Sequence, residues 1–197
     1  MNCKRPQAPT GAWSEQALSN AKLGRAVGST RVLVCSALLI ALGVLIPTVF
    51  HQFGIAGPIF LPMHFPVIIA GLMFGPLCGL IVGLCSPALS FSLTGMPPPP
   101  LLFAMIPELI TYGGVCGCLR RELRAPVFVS LVGGMAAGRF VLGLAVWALA
   151  GFVDFHATPW GFVKGAIVTG LPGIGGQAVL IPLLVRRLSN RSVPQAE

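Results

Sequence analysis

Four ionisable residues interrupt otherwise apolar stretches of the chain and are the first candidates for chemistry: His64, Glu108, Arg139 and Lys164. If these stretches cross a membrane, an ionisable side chain facing lipid costs about 2.5–3.5 kcal/mol even on the milder insertion scales. Pairing in a water-accessible cavity avoids that cost. The residues therefore predict a polar pocket for a charged or zwitterionic small molecule.

Less specific interpretations of the same residues stay open. Glu108 and Arg139 could form an ion pair that only holds two helices together. His64 could be a hydrogen-bonded helix cap. Lys164 could extend its amine to the membrane surface, because it lies only a few residues into its segment.

Catalytic chemistry finds little support in the residue pattern. No G-x-S-x-G turn and no Walker A sequence occurs, and Asp154 is the only aspartate, so an aspartyl dyad is impossible. The six cysteines form no C-x-x-C pair and no Cys/His ligand spacing. We expect a protein that is not an enzyme and that holds neither a metal nor a cofactor.

The elements that must position these residues are membrane helices. Only 9% of the residues are charged, 55% are hydrophobic, and no Asp, Glu, Lys or Arg occurs between positions 32 and 107. One span needs roughly 20 apolar residues, so this run crosses a bilayer more than once, and the spans must be helices because their backbone groups are satisfied internally. The sequence predicts an all-α integral membrane protein with six helices. The predicted segments are Arg31–Phe50, Pro62–Phe74, Pro76–Leu93, Leu101–Leu119, Pro126–Val153 and Pro159–Val185.

The second of these segments is short for a full crossing, and the distribution of basic residues decides how it is interpreted. Five Lys and Arg residues lie before the first segment or at its first residue, three lie at positions 120–124, and three follow the sixth segment. Six crossings place all of them on one side, so the positive-inside rule predicts cytoplasmic N and C termini. Residues 1–30 are then a flexible cytoplasmic tail, 31–188 a six-helix membrane domain, and 189–197 a second tail. The net charge of +8 reflects these membrane edges, and we expect no nucleic-acid partner.

Small residues recur at helix-packing spacing, and charge-free loops join the segments. Glycines at 71, 75, 79 and 83, and at 113 and 117, predict close helix contacts, as does Ala37-x3-Ala41 in the first segment. The connections at 51–58 and 94–100 combine glycine and proline, and they predict either rigid lids over the pocket or simple short connections.

Several motifs resemble one family of transport proteins. They are Ile46-Pro47, Gly57-Pro58-Ile59-Phe60-Leu61-Pro62-Met63-His64-Phe65-Pro66-Val67, Gly75-Pro76, Leu93-Thr94-Gly95-Met96-Pro97-Pro98, Pro107-Glu108-Leu109 with Tyr112-Gly113, Gly138-Arg139 and Thr169-Gly170-Leu171-Pro172-Gly173. Together they cover about residues 31–188. This combination resembles the substrate-binding S components of energy-coupling factor (ECF) vitamin transporters.

The resemblance implies a six-helix subunit in a prokaryotic cell membrane that captures a vitamin or related micronutrient from outside. It implies a transmembrane coupling subunit and two cytosolic ATPases as partners, with Ala37 and Ala41 at the coupling-subunit interface. It also implies a binding site in the outer half, under the first and third connections. We expect the site residues to be His64, Thr94, Glu108, Tyr112, Arg139 and Lys164.

The expected charge of the site indicates the class of solute. Arg139 and Lys164 outnumber Glu108, and a surplus cation in a low-dielectric cavity is stabilised by a bound carboxylate. This predicts a small carboxylate-bearing vitamin of the pantothenate type. The alternative function is a structural or assembly membrane protein whose buried charges pair only with one another.

Overall fold

The computed structural model describes residues 30–52, 60–150 and 159–189. All regular structure in these ranges is helical, and we number the helices in chain order. They are α1 (Thr30–Gln52), α2 (His64–Phe74), α3 (Pro76–Thr94), α4 (Pro99–Arg121), α5 (Val127–Leu149) and α6 (Pro159–Ser189). The N-terminal tail up to residue 29, most of the 51–58 connection and the last eight residues lie outside the described ranges.

Five of the six helices are long and apolar enough to span a bilayer, and α2 is not. Its 11 residues extend about 16 Å at 1.5 Å per residue, against roughly 30 Å of hydrocarbon. Helix α2 ends at Gly75, whose φ of 95° is a conformation that favours glycine, and Pro76 begins α3 at once. The short second segment is therefore half of a sharp helical hairpin.

Contacts between neighbouring helices define the direction of each helix. Helices α3 and α4 are antiparallel, because Gly79 packs on Gly113 while Gly83 packs on Leu109. Helix α2 runs parallel to α4, since its first residue, His64, packs against Tyr112 and its last turn reaches the end of α4.

The remaining helices continue this alternation. Helix α5 is antiparallel to α4, with Gly138 on the Tyr112 ring and Gly133 on the Leu119 side chain. Helix α6 is antiparallel to α5, and α1 is parallel to α3, its Gly43 lying beside Ser86. Directions therefore alternate from α1 to α6 along the chain.

The glycines of α2 and α3 pack against α4, as their spacing predicts. A Cβ on Gly71 or Gly79 would overlap the backbone of Gly113, and a Cβ on Gly117 would overlap the backbone of Pro76. Backbones approach this closely only where both helices lack side chains, which is how membrane helices gain packing energy without a hydrophobic effect. Helix α4 thereby becomes the centre of the bundle.

This alternation places the start of α1 at the same end of the bundle as the α2–α3 turn and the ends of α4 and α6. The basic residues at 120–124 and 186–187 lie at that end, which we call the basic end. At the opposite end, Trp147 and Trp160 are 70% and 79% exposed. Tryptophan at this position is typical of a membrane–water interface.

Candidate functional site

A cavity of about 530 Å³ lies in the half of the bundle opposite the basic end. Parts of all six helices form its wall together with the segments that precede α2 and α4. Its lining is Pro47, Leu61, Pro62, Met63, His64, Ser90, Met96, Pro97, Pro98, Leu101, Met105, Glu108, Arg139, Leu142, Gly161, Phe162, Gly165, Ala166 and Thr169. Most of this surface is apolar, as in most sites that bind small organic molecules.

Three of the predicted residues meet at this cavity. Glu108 of α4 is 2% exposed, and its Oε1 lies 3.0 Å from Nη1 of Arg139 on α5. Nε2 of His64, at the start of α2, lies 3.8 Å from the same carboxylate oxygen. Because α4 begins at Pro99, two residues earlier than predicted, Glu108 lies about 14 Å along the helix axis, against the roughly 10 Å that a start at Leu101 would give. The charges are therefore nearer the middle of the bundle.

Tyr112 packs against this cluster but does not line the cavity. Its side chain is fully buried one turn after Glu108, and its ring meets the His64 ring edge-on with centroids 5.0 Å apart. The other side of the tyrosine ring packs on Gly138, where a Cβ would lie only 2.9 Å from ring carbons. The Gly138-Arg139 pair thus places the bulky ring and the guanidinium next to each other.

The cluster has unused hydrogen-bonding capacity. Among the described residues, Nδ1 and Nε2 of His64, Oε1 of Glu108, and Nε and Nη2 of Arg139 are buried without a hydrogen-bond partner. The 3.0 Å contact between Glu108 and Arg139 is thus an ion pair whose angles do not suit a hydrogen bond. Buried polar atoms are almost always satisfied in folded proteins, so these five atoms make the cluster a candidate for hydrogen bonding to a solute.

The segment before α2 is anchored by contacts that the sequence did not reveal. Leu61 has a positive φ of 49°, which is uncommon for a residue with a branched side chain. Its carbonyl accepts hydrogen bonds from the backbone N–H of His64 at 3.0 Å and from Nε2 of the fully buried Gln177 at 3.4 Å. Gly170 of α6 leaves room for the Leu61 side chain. These contacts fix the position at which α2 begins.

Thr94 and Lys164 do not line the cavity. Thr94 is exposed at the end of α3, and its hydroxyl donates to the Ser90 carbonyl at 2.7 Å. Lys164 is exposed on α6, while its neighbour Gly165 lines the cavity. The cavity lining in the described ranges therefore contains one cation and one anion, Arg139 and Glu108. The cation surplus expected from the sequence depended on Lys164 and is not present in this lining.

Other lining residues were not among the predicted site residues. Ser90 and Thr169 add hydroxyl groups, Phe162 adds an aromatic ring, and three methionines contribute side chains to the wall. The Ser90 hydroxyl could have been proposed from its four-residue spacing to Thr94. No comparable signal in the sequence identifies the methionines as lining residues. Apolar residues occur on both the cavity-facing and the lipid-facing side of a membrane helix.

No group of three or more His, Cys, Asp or Glu side chains that could hold a metal ion occurs within the ranges 30–52, 60–150 and 159–189. The expectation that the protein uses no metal stays a prediction.

Comparison with known proteins identifies the family. The family model described as "ECF transporter, substrate-specific component" matches residues 31–185. The chain belongs to this family. The match covers all six helices except the first residue of α1 and the last turn of α6. No curated protein and no solved structure matches the chain.

Family membership and the apolar helices together establish several properties. This ECF component is a multi-pass α-helical membrane protein and a substrate-binding transport subunit. Members of the family are subunits of transporters and act with a small-molecule substrate and ECF partner subunits. The resemblance found in the sequence motifs is therefore confirmed.

Proposed function

We propose that this chain captures a water-soluble vitamin or related micronutrient from outside the cell and binds it in the cavity that Glu108 and Arg139 line. The observation that carries the proposal is the group of buried, unsatisfied polar atoms on His64, Glu108 and Arg139. These three residues line a cavity of about 530 Å³, a volume within the range of pockets for small organic ligands. The family match supports solute binding as the purpose of this arrangement.

Binding to the purified protein tests this proposal directly. The detergent-purified chain would be screened by thermal shift against the water-soluble vitamins, and each stabilising compound would be titrated calorimetrically. Arg139→Met should weaken binding of the stabilising compound, whereas the matched control Lys164→Met should bind it normally, because Lys164 is exposed and outside the cavity. If no vitamin stabilises the wild type, or if only the control variant loses binding, the assignment of this cavity is wrong.

We further propose that the solute carries a carboxylate, of the pantothenate type, and that Arg139 binds it. Arg139 is the one cation in the described cavity lining, and two of its nitrogens have no hydrogen-bond partner there. A guanidinium suits a carboxylate because it can donate two parallel hydrogen bonds. Support for this class thus comes from Arg139 alone, without Lys164.

We also propose six crossings with both termini cytoplasmic. The alternating helix directions and the location of the basic residues at one end support this topology, because the positive-inside rule assigns that end to the cytoplasm. The cavity then lies in the outer half. The short α2 begins near the level of Glu108 and turns back at Gly75.

Uptake is proposed to depend on a transmembrane coupling subunit and two cytosolic ATPases in a prokaryotic cell membrane. Ala37 and Ala41 are exposed on α1, on a face shared with Val34, Leu38 and Leu45. Two small residues one turn apart on an exposed helix face allow a partner helix to approach closely. This exposure supports the proposed interface with the coupling subunit.

A purely structural role for the buried charges is the alternative. The 3.0 Å contact between Glu108 and Arg139 favours it, since an ion pair across α4 and α5 would hold these helices together. A structural pair, however, needs its remaining N–H groups satisfied to offset desolvation. The unsatisfied nitrogens of Arg139 support the solute-binding function instead.

A further inference from the structure

The residues that line the cavity carry unsatisfied atoms of both hydrogen-bonding types. The nitrogens of Arg139 are donors, whereas Oε1 of Glu108 is an acceptor. The two side chains are adjacent, with 3.0 Å between their nearest charged atoms. A solute group that reaches one of them therefore comes within a few ångströms of the other.

The charge balance limits what can bind there. Arg139 and Glu108 cancel within the described cavity lining, and Lys164 contributes nothing to it. A carboxylate bound to Arg139 would approach the Glu108 carboxylate, and like charges at this range repel in a low-dielectric site. This repulsion is offset when the solute also donates a hydrogen bond to the Glu108 carboxylate. An acceptor-only solute would place its lone pairs near that buried carboxylate without giving it a hydrogen bond, so the repulsion would not be offset.

We propose that the polar end of the solute carries an N–H or ammonium group next to its carboxylate, and that Glu108 accepts a hydrogen bond from this group while Arg139 binds the carboxylate. This inference rests on the proposed function of the cavity. Glu108 is then a specificity-determining residue. The apolar part of the cavity lining contacts the rest of the solute.

Two probes that differ only in the donor test the inference. Pantothenate has an amide N–H two carbons from its carboxylate, and the isosteric ester replaces that N–H by oxygen. Calorimetric titration of the wild type should give a roughly ten- to hundredfold tighter dissociation constant for pantothenate, the range expected for a charge-assisted hydrogen bond. Glu108→Gln keeps the side-chain volume and a neutral acceptor, so the ratio should fall to roughly threefold.

The control is Lys164→Met, which should keep the wild-type ratio. Equal binding of the two probes by the wild type overturns the inference without needing any variant. An unchanged ratio in folded Glu108→Gln overturns it as well. Binding of neither probe at millimolar concentrations rejects both the pantothenate class and the inference. Unchanged binding by Arg139→Met with the probe ratio intact rejects only the Arg139–carboxylate contact and leaves the role of Glu108 standing.

Discussion

Replacement of Arg139 by methionine should destabilise the protein even without solute, because it leaves a buried carboxylate without its cation. Glu108 is 2% exposed, and its other ion-pairing neighbour in the described residues is His64, whose Nε2 lies 3.8 Å from Oε1. Removing one partner of a buried ion pair costs about 3–5 kcal/mol. For a protein of 150–250 residues each kcal/mol lowers the melting temperature by about 2–4 °C, so we expect a decrease of roughly 6–20 °C.

A double variant separates the charge effect from the loss of packing. Arg139→Met together with Glu108→Gln removes the unpaired charge, and it should recover most of the lost stability because no uncompensated ion stays buried. The assay is the melting temperature of detergent-purified protein, read as the fraction that remains monodisperse after heating. Lys164→Met removes an exposed charge from the same bundle, and it should change the free energy of unfolding by about 0.5 kcal/mol or less, which is at most about 2 °C in melting temperature. A double variant as unstable as Arg139→Met would refute the electrostatic reasoning, as would an Arg139→Met variant with wild-type stability.

Three further predictions concern the helix packing, the topology and the coupling surface. Gly79→Val should destabilise the bundle by about 1–3 kcal/mol or more, because its Cβ would overlap the Gly113 backbone; thermal melting measures this. A cysteine replacing Glu122 in a cysteine-free background should react with an impermeant maleimide only after the cells are opened, because the proposed topology places the basic end in the cytoplasm. Ala37→Trp should abolish vitamin uptake by the complete transporter while solute affinity stays unchanged, since the added bulk blocks helix approach far from the cavity.

Each of these predictions has a control within the same protein. Gly175→Ala should be harmless, because no neighbouring atom lies within 4 Å of its added Cβ, and equal damage by both glycine substitutions would contradict the packing argument. Met96→Cys, exposed at the opposite end, should be labelled on intact cells, so the reverse pattern would invert the topology. Val132→Trp on the exposed face of α5 should permit uptake, and an equal loss of binding and uptake in Ala37→Trp would remove Ala37 from the interface.

The helices and their packing residues were predictable from the sequence because both depend on local composition. An uncharged apolar run must be helical in a bilayer, and the predicted segments agree with α1, α3, α4 and the start of α6 to within about two residues at most of their ends. The glycines at four-residue spacing predicted close contact, and Gly71 and Gly79 do pack on Gly113. The described end of α5, at Leu149, comes before the predicted end at Val153, and residues 151–158 lie outside the described ranges. Helix α6 continues four residues past its predicted end.

Family membership could also be predicted from the sequence. Its motifs are short combinations of glycine, proline and polar residues, and they can be recognised without a solved relative. The presence of ionisable residues in apolar segments predicted a polar cluster. Only the tertiary structure decided which of them meet. His64, Glu108 and Arg139 come from three different helices, and their contact requires both the hairpin at Gly75 and the close packing of α4 on its neighbours.

Lys164 shows most clearly why the sequence alone was insufficient. Gly161, Gly165 and Thr169 line the cavity at four-residue intervals along α6, and Lys164 is one position away from Gly165. Each residue turns an α-helix by about 100°. The cavity face of α6 extends from Gly165 towards Ala166, so the lysine one position before Gly165 lies outside that face. Hydrophobicity determined that α6 is a membrane helix and how long it is. Its rotation about its own axis depends on contacts with α5 and with Leu61, more than a hundred residues earlier, and only the packed bundle decides it.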